Sequence, residues 1–258
     1  AKATGSDLSA QRANEDFQRF LDVHVYGKNT TPKFSDARPM IGLAPRMIAI
    51  VTAQELEKHL GKTAETSSLI DRCIEEIETL FYKPEEGALM EQVQPDGSIA
   101  DHFDGRLLNP GHAIECGWFI LEEAERRDDA ALQTLGCKII ECMWERGWDT
   151  THGGLRYFTD IEDKPVSEYW HRMKFWWPHD ETLIATAYAH HLTGDAQWME
   201  KHQQCHDWSF KHFSDPNHGE WLGYLNPDGS PSNTIKGNMW KSCFHHPRAL
   251  HRCAQLLA

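Results

Sequence analysis

Apolar residues recur at three- and four-residue spacing through residues 9–26, 44–60, 67–82 and 112–126, the period of an amphipathic helix. The same signal continues at residues 130–146, 179–193, 196–213 and 244–257. Between these stretches stand Gly, Pro and Asp clusters such as PEEG, DTTHGG and DPNHGE, which predict turns. Short alternating runs inside the loops, LRYFTD for one, predict small hairpins. The pattern as a whole predicts an all-α protein with long decorated loops.

A repeat runs through this pattern. EEGALMEQVQPDGS (85–98), THGGLRYFTDIEDKP (151–165) and NHGEWLGYLNPDGSP (217–231) resemble one another, and their anchor glycines Gly87, Gly153 and Gly219 recur every 66 residues. In step with them, His112, His179 and His245 each open a predicted helix, at spacings of 67 and 66 residues. An earlier member, RPMIGLAPRMIAIV, carries Pro45 and Arg46 at the corresponding place. Each unit therefore reads as helix, long loop, helix. Such hairpins cannot bury their apolar faces alone, so they stack, either as an open solenoid or as a closed α/α toroid. In a closed ring the three histidines would converge at one end of the inner helices.

Composition narrows the function. The formal charge of −13 would repel a phosphate backbone or an anionic membrane surface, so neither nucleic acid nor membrane is expected as a partner. No apolar run approaches the roughly 18 residues of a membrane span, and AKATGSDLSAQRANEDF has no signal-peptide apolar region. Seven cysteines, an odd number without C-x-x-C spacing, argue against a disulfide framework and a zinc ribbon, and a reducing cytoplasm is the simplest compartment. The N-x-[ST] match at Asn29 then reads as chance. Sixteen His and ten Trp are many for this length, and both suit a concave site for polar, ring-shaped ligands.

Three segments carry candidate chemistry. In LNPGHAIECGWF, His112 and Glu115 are neighbours on one helical face near its N-terminus. A neutral imidazole there is matched to taking a proton near neutral pH, and a carboxylate can orient it; a capping or buried polar network is the alternative. In EYWHRMKFWWPHDETLIA, Trp176 and Trp177 offer flat faces for a sugar ring, with His179 and Glu181 as polar contacts; paired tryptophans also serve as core, so at most one, Trp177, is assigned to the site, and spacing leaves open which of His171, Lys174 and Asp180 turns inward. In IKGNMWKSCFHHPRALHRC, His245 keeps the 66-residue register, and Arg248 either sits beside it or is solvated. Other motifs fail. GKT at 61–63 has Leu56 where a phosphate loop needs glycine, no spacing supports a metal site, and no G-x-S-x-G elbow is present.

Taken together, GRLLNPGHAIECGWF, KFWWPHDE, HGEWLGYLNPDGS and WKSCFHHPRAL resemble the N-acylglucosamine 2-epimerase (renin-binding protein) family, in order along the chain from about residue 38 to the C-terminus. The resemblance implies an (α/α)6 barrel, a six-hairpin toroid, around a sugar pocket. It implies interconversion of N-acetylglucosamine and N-acetylmannosamine by two histidines, which map onto His112 and His245, assisted by Glu115 and Glu181. The chemistry fits these residue types. In the open-chain sugar the carbonyl acidifies the C2–H, one histidine removes that proton to give an enolate, and the other returns a proton to the opposite face. No metal or redox cofactor is demanded. ATP as an activator and a homodimer are implications of the family alone. His246 stands where the family often has an apolar residue and Ser242 where it often has glycine, and an arginine of an early inner helix has no counterpart.

The alternatives are an aldose-ketose isomerase or an epimerase of an unmodified sugar or disaccharide, a glycoside hydrolase using Glu115 and Glu181, and a non-catalytic sugar- or protein-binding module. Six hairpins at this period need about 390 residues. The expectation is therefore a single α/α-barrel domain over residues 1–258 that holds about the last four hairpins and lacks the first ones, with apolar surface at the open edge.

Overall fold

The computed structural model describes residues 5–28, 30–31 and 33–258, so Asn29 lies outside the described residues. Helices hold 58% of the chain and the strands are two residues long, which bears out the all-α reading. Among the described residues no helix is long and apolar enough to cross a membrane. The cysteines are free thiols, and Cys73, Cys116 and Cys205 are buried. The chain divides into two compact units, one reaching to Tyr82 and including Glu91–Asp101, the other made of Lys83–Met90 and His102–Ala258.

The first unit holds α1 (Asp7–Phe20, continued by a π-helical turn, Leu21–Val25), α2 (Ala44–Leu60) and α3 (Ala64–Glu76, with a π-helical turn at Ile77–Phe81). Ser6 caps α1, and Thr63 with Thr66 forms a capping box on α3. Pro45 stands in the first turn of α2, where its missing N–H costs nothing. Met47, Ile50 and Ala53 of α2 bury against Leu69, Ile70 and Ile74 of α3. Arg46 ties the two through Glu76 at 2.8 Å.

The second unit contains a four-residue helix α4 (Phe103–Arg106) and two tight hairpins, α5 (Pro110–Arg127) with α6 (Ala130–Gly147) and α7 (Trp176–Thr193) with α8 (Ala196–Phe213). A last helix, α9 (His245–Leu256), packs on α7. Each hairpin turn needs only two residues, Asp128–Asp129 and Gly194–Asp195. Asp128 and Gly194 take left-handed conformations, and Asp129 and Asp195 cap the helices that follow. Glycines let α5 and α6 approach closely, since a Cβ on Gly117 would stand 2.6 Å from Ile140 and one on Gly136 2.6 Å from Leu121. From Trp176 to Ala189 every residue of α7 is buried, because α5, α8 and α9 pack around it.

The loop repeat has a conformational cause. Gly87, Gly153 and Gly219 all have positive φ, at +55°, +74° and +65°, a region that side chains disfavour. Two antiparallel strand pairs brace the loops, Leu107–Leu108 with Thr159–Asp160 and Lys174–Phe175 with Tyr224–Leu225. The second of these pairs leads directly into α7.

Candidate active site

The starts of α5, α7 and α9 meet at a cleft of about 460 Å³ within the second unit, a volume suited to a small polar ligand. His112 and Glu115 line it from α5, Trp176 and Trp177 from α7, and His245 from α9. Loop aromatics close the rest of the wall, namely Tyr157, Trp170, Phe175, Tyr224 and Trp240. Both histidines pack on the Trp177 indole, with ring centroids 5.0 Å away for His112 and 5.6 Å for His245.

The two imidazoles are held differently. Asn109, the cap of α5, accepts the backbone N–H of His112 on Oδ1 at 3.2 Å, which turns its Nδ2 to His112 Nδ1 at 3.1 Å. An amide N–H can only donate, so the neutral His112 ring carries its proton on Nε2. His245 instead donates from Nδ1 to Glu181 Oε1 at 2.6 Å, which leaves Nε2 as its lone-pair nitrogen.

Behind the histidines, one guanidinium nitrogen of Arg248 donates to Glu115 Oε1 and Glu181 Oε1, each at 2.7 Å, and the Trp118 indole N–H donates to Glu181 Oε2 at 2.8 Å. Burial raises the Glu115 pKa, and the charge of Glu181 adds to it, so Glu115 takes the proton of the pair. Glu181 resists its own burial because Arg248 and then His245 favour its charge, and its pKa is lowered. The orienting carboxylate therefore stays ionised. Ligand atoms of Glu115, Glu181 and His245 lie within 4.8 Å of one another, a spacing that fits a metal ion. Arg248 already neutralises that set, so an added cation would face a guanidinium.

Arg248 thus belongs to the site and is not solvated, and both tryptophans line the cleft where one was expected. Two expected contacts lie elsewhere. Lys174 is fully buried, with Nζ 2.9 Å from Asp149 Oδ2 and 3.4 Å from the Gly154 carbonyl. Burial pushes its pKa down to about 8, against the opposing pull of Asp149. His179 is fully buried too, accepting the Leu155 N–H on Nε2 at 2.9 Å and donating from Nδ1 to the Phe175 carbonyl at 2.7 Å. Trp208 stacks on its ring at 5.0 Å, and burial pushes its pKa down to about 3. Both side chains anchor the 149–155 loop to the start of α7 and do not line the cleft. Residue spacing does not reveal that Asp149 and Trp208 close over them. A further pair escaped the sequence reading: His246 Nδ1 lies 2.8 Å from Asp180 Oδ1, directly beside the His245–Glu181 bond.

Known proteins resemble this chain over most of its length. The N-acylglucosamine 2-epimerase family model matches residues 6–249. The N-acylglucosamine 2-epimerase of Rattus norvegicus is 38% identical over 215 residues, 83% of this chain and 51% of the relative. That of Bos taurus is 42% identical over 171 residues, 66% and 40% of the two chains. The chain spans about half the length of the curated relatives it matches. Among solved structures, a cellobiose 2-epimerase from Bacillus thermoamylovorans B4167 superposes with a TM-score of 0.70 at 16% identity, over 84% of this chain and 53% of that one. Such neighbours are (α/α)6 barrels, so the expected fold class is borne out. With that fold beneath it and the family pattern running through nearly all of it, the chain belongs to the N-acylglucosamine 2-epimerase family.

Proposed function

We propose that this protein is a sugar 2-epimerase that interconverts N-acetylglucosamine and N-acetylmannosamine, one of His245 and His112 removing the C2 proton and the other delivering a new proton to the opposite face. The observation that carries the reading is the unequal pairing of two histidines on one indole: His245 with its proton on the nitrogen facing ionised Glu181, His112 with its proton on Nε2. In the open-chain sugar, Nε2 of His245 takes the C2 proton, and the C–H electron pair moves into the C1–C2 bond to give an enolate stabilised on the C1 oxygen. The resulting imidazolium is balanced by Glu181. Return of a proton to the other face of C2 comes from His112 as its imidazolium, whose second proton on Nδ1 requires Asn109 to turn its amide oxygen toward it. The reverse reaction exchanges the two roles. No metal or redox step enters this scheme.

Hydrolysis fits the carboxylates less well. Glu115 and Glu181 both hold the same Arg248 nitrogen at 2.7 Å, so neither is available as acid or base across a glycosidic bond. The test is proton NMR of N-acetylmannosamine incubated with the protein in deuterated water. The expected result is N-acetylglucosamine carrying deuterium at C2. Product that keeps its C2 proton, or sugar left unchanged, contradicts the reading.

A further inference from the structure

His246 and Asp180 are not needed by the proton transfer, yet they are built with care. Asp180 is fully buried, and among the described residues its Oδ2 has no hydrogen-bond partner while Oδ1 holds His246 Nδ1 at 2.8 Å. Keeping a carboxyl group in such a place is costly, and an apolar pair of similar size would fill the space at less expense. Burial pushes its pKa up to about 6, against the opposing hydrogen bond and charge of His246.

The location explains the expense. α9 has no side-chain cap at its N-terminus, its flanking residue Phe244 is 54% exposed, and Pro247 in the first turn has no N–H to give. Two bonds to α7 grip that turn instead, His245 to Glu181 and His246 to Asp180. Consecutive residues on one helix thus hold consecutive residues on the other. Because neighbouring helical residues point about 100° apart, the two rings diverge. His245 faces the cleft, and His246 packs on the Trp221 indole at 4.3 Å between ring centroids. Fixing both rings fixes the rotation of the turn, which neither bond does alone.

We propose that Asp180 and His246 form a positioning pair that sets the first turn of α9 and thereby aims His245 at the C2 proton. The proposal rests on the epimerase reading for its kinetic effect but not for its structural one. The test compares the wild-type chain with Asp180→Asn, which keeps an acceptor for His246, and with the double variant Asp180→Ala/His246→Leu, which removes the pair without stranding a charge. Three readouts are taken: melting temperature, kcat and KM for C2 exchange with N-acetylmannosamine, and the NMR resonance of the His245 Nδ1–H. The double variant is expected to melt near the wild type and keep KM within about twofold, while kcat falls roughly ten- to a hundredfold, the scale of a small misplacement of a reacting group. Its Nδ1–H resonance is expected to move upfield as the bond to Glu181 loosens, and Asp180→Asn is expected to retain both rate and resonance. Wild-type kcat with an unmoved resonance in the double variant overturns the proposal. If the wild-type chain exchanges no C2 proton, the functional reading fails and the resonance alone decides the positioning role. If the double variant does not fold, Asp180→Asn/His246→Leu, which removes the bond and leaves no buried charge, is read the same way, and an unmoved His245 resonance again overturns the proposal.

Discussion

His179 and His245 occupy the same register 66 residues apart, each at the mouth of a helix, yet their ring nitrogens are employed in opposite ways. His179 has both nitrogens engaged by backbone groups, under Trp208, in a site closed to solvent. His245 has one nitrogen on a buried carboxylate and a ring that lines an open cleft. The charged groups beside them divide in the same way. Lys174 and Asp149 form a sealed pair that ties a loop to α7, whereas Arg248, Glu115 and Glu181 form a network whose exposed end is an imidazole. Residue type and helix position are shared. On the proposed reading, what separates chemistry from support is whether the second ring nitrogen is covered.

Breaking the sealed pair is expected to have the largest effect on stability. Lys174→Met leaves Asp149, in a site with no exposure, with only the Arg156 guanidinium 3.4 Å from its other oxygen, and should cost about 3 kcal/mol, read by denaturant unfolding. The rate of C2 exchange per folded molecule should stay at the wild-type level, because neither residue touches the cleft. A variant as stable as the wild type would remove the distinction between the two clusters.

A smaller effect lies in the pH dependence. Burial raises the folded-state pKa of Asp180 from 3.8 to about 6, so the folded chain holds a proton that the unfolded chain releases. The contribution to stability is fully present below about pH 3.8 and is lost as the pH rises through about 6. Asp180→Asn removes this dependence. The stability of the wild type relative to that variant should therefore fall by about 1–3 kcal/mol between pH 4 and pH 7. Parallel unfolding curves across that range would mean that Asp180 stays ionised in the folded chain.

The order of helices and the helix-mouth histidines were legible in the chain because their causes are local. A left-handed turn demands glycine, which marks Gly87, Gly153 and Gly219, and apolar periodicity marks the helices between. His112 and His245 stood out by sharing that register. The sealing of His179 and Lys174 was not legible, since it depends on Trp208 of α8 and on Asp149 in the preceding loop, which no helical period connects to them. Arg248 joins Glu115 across 133 residues, and the aromatic wall comes from loops without periodicity. His246 could be noticed as a departure from its family, but only the fold brings Asp180 to it.

The most direct test of the central claim sets the two registered histidines against each other. C2 deuterium incorporation from N-acetylmannosamine is measured per folded molecule for His245→Asn and His179→Asn. The account predicts a loss of roughly 10²- to 10⁴-fold for His245→Asn, the usual worth of a positioned acid or base. His179→Asn should lower the melting temperature and leave the rate per folded molecule near that of the wild type. Equal losses in both variants, or an undiminished rate in His245→Asn, would contradict it.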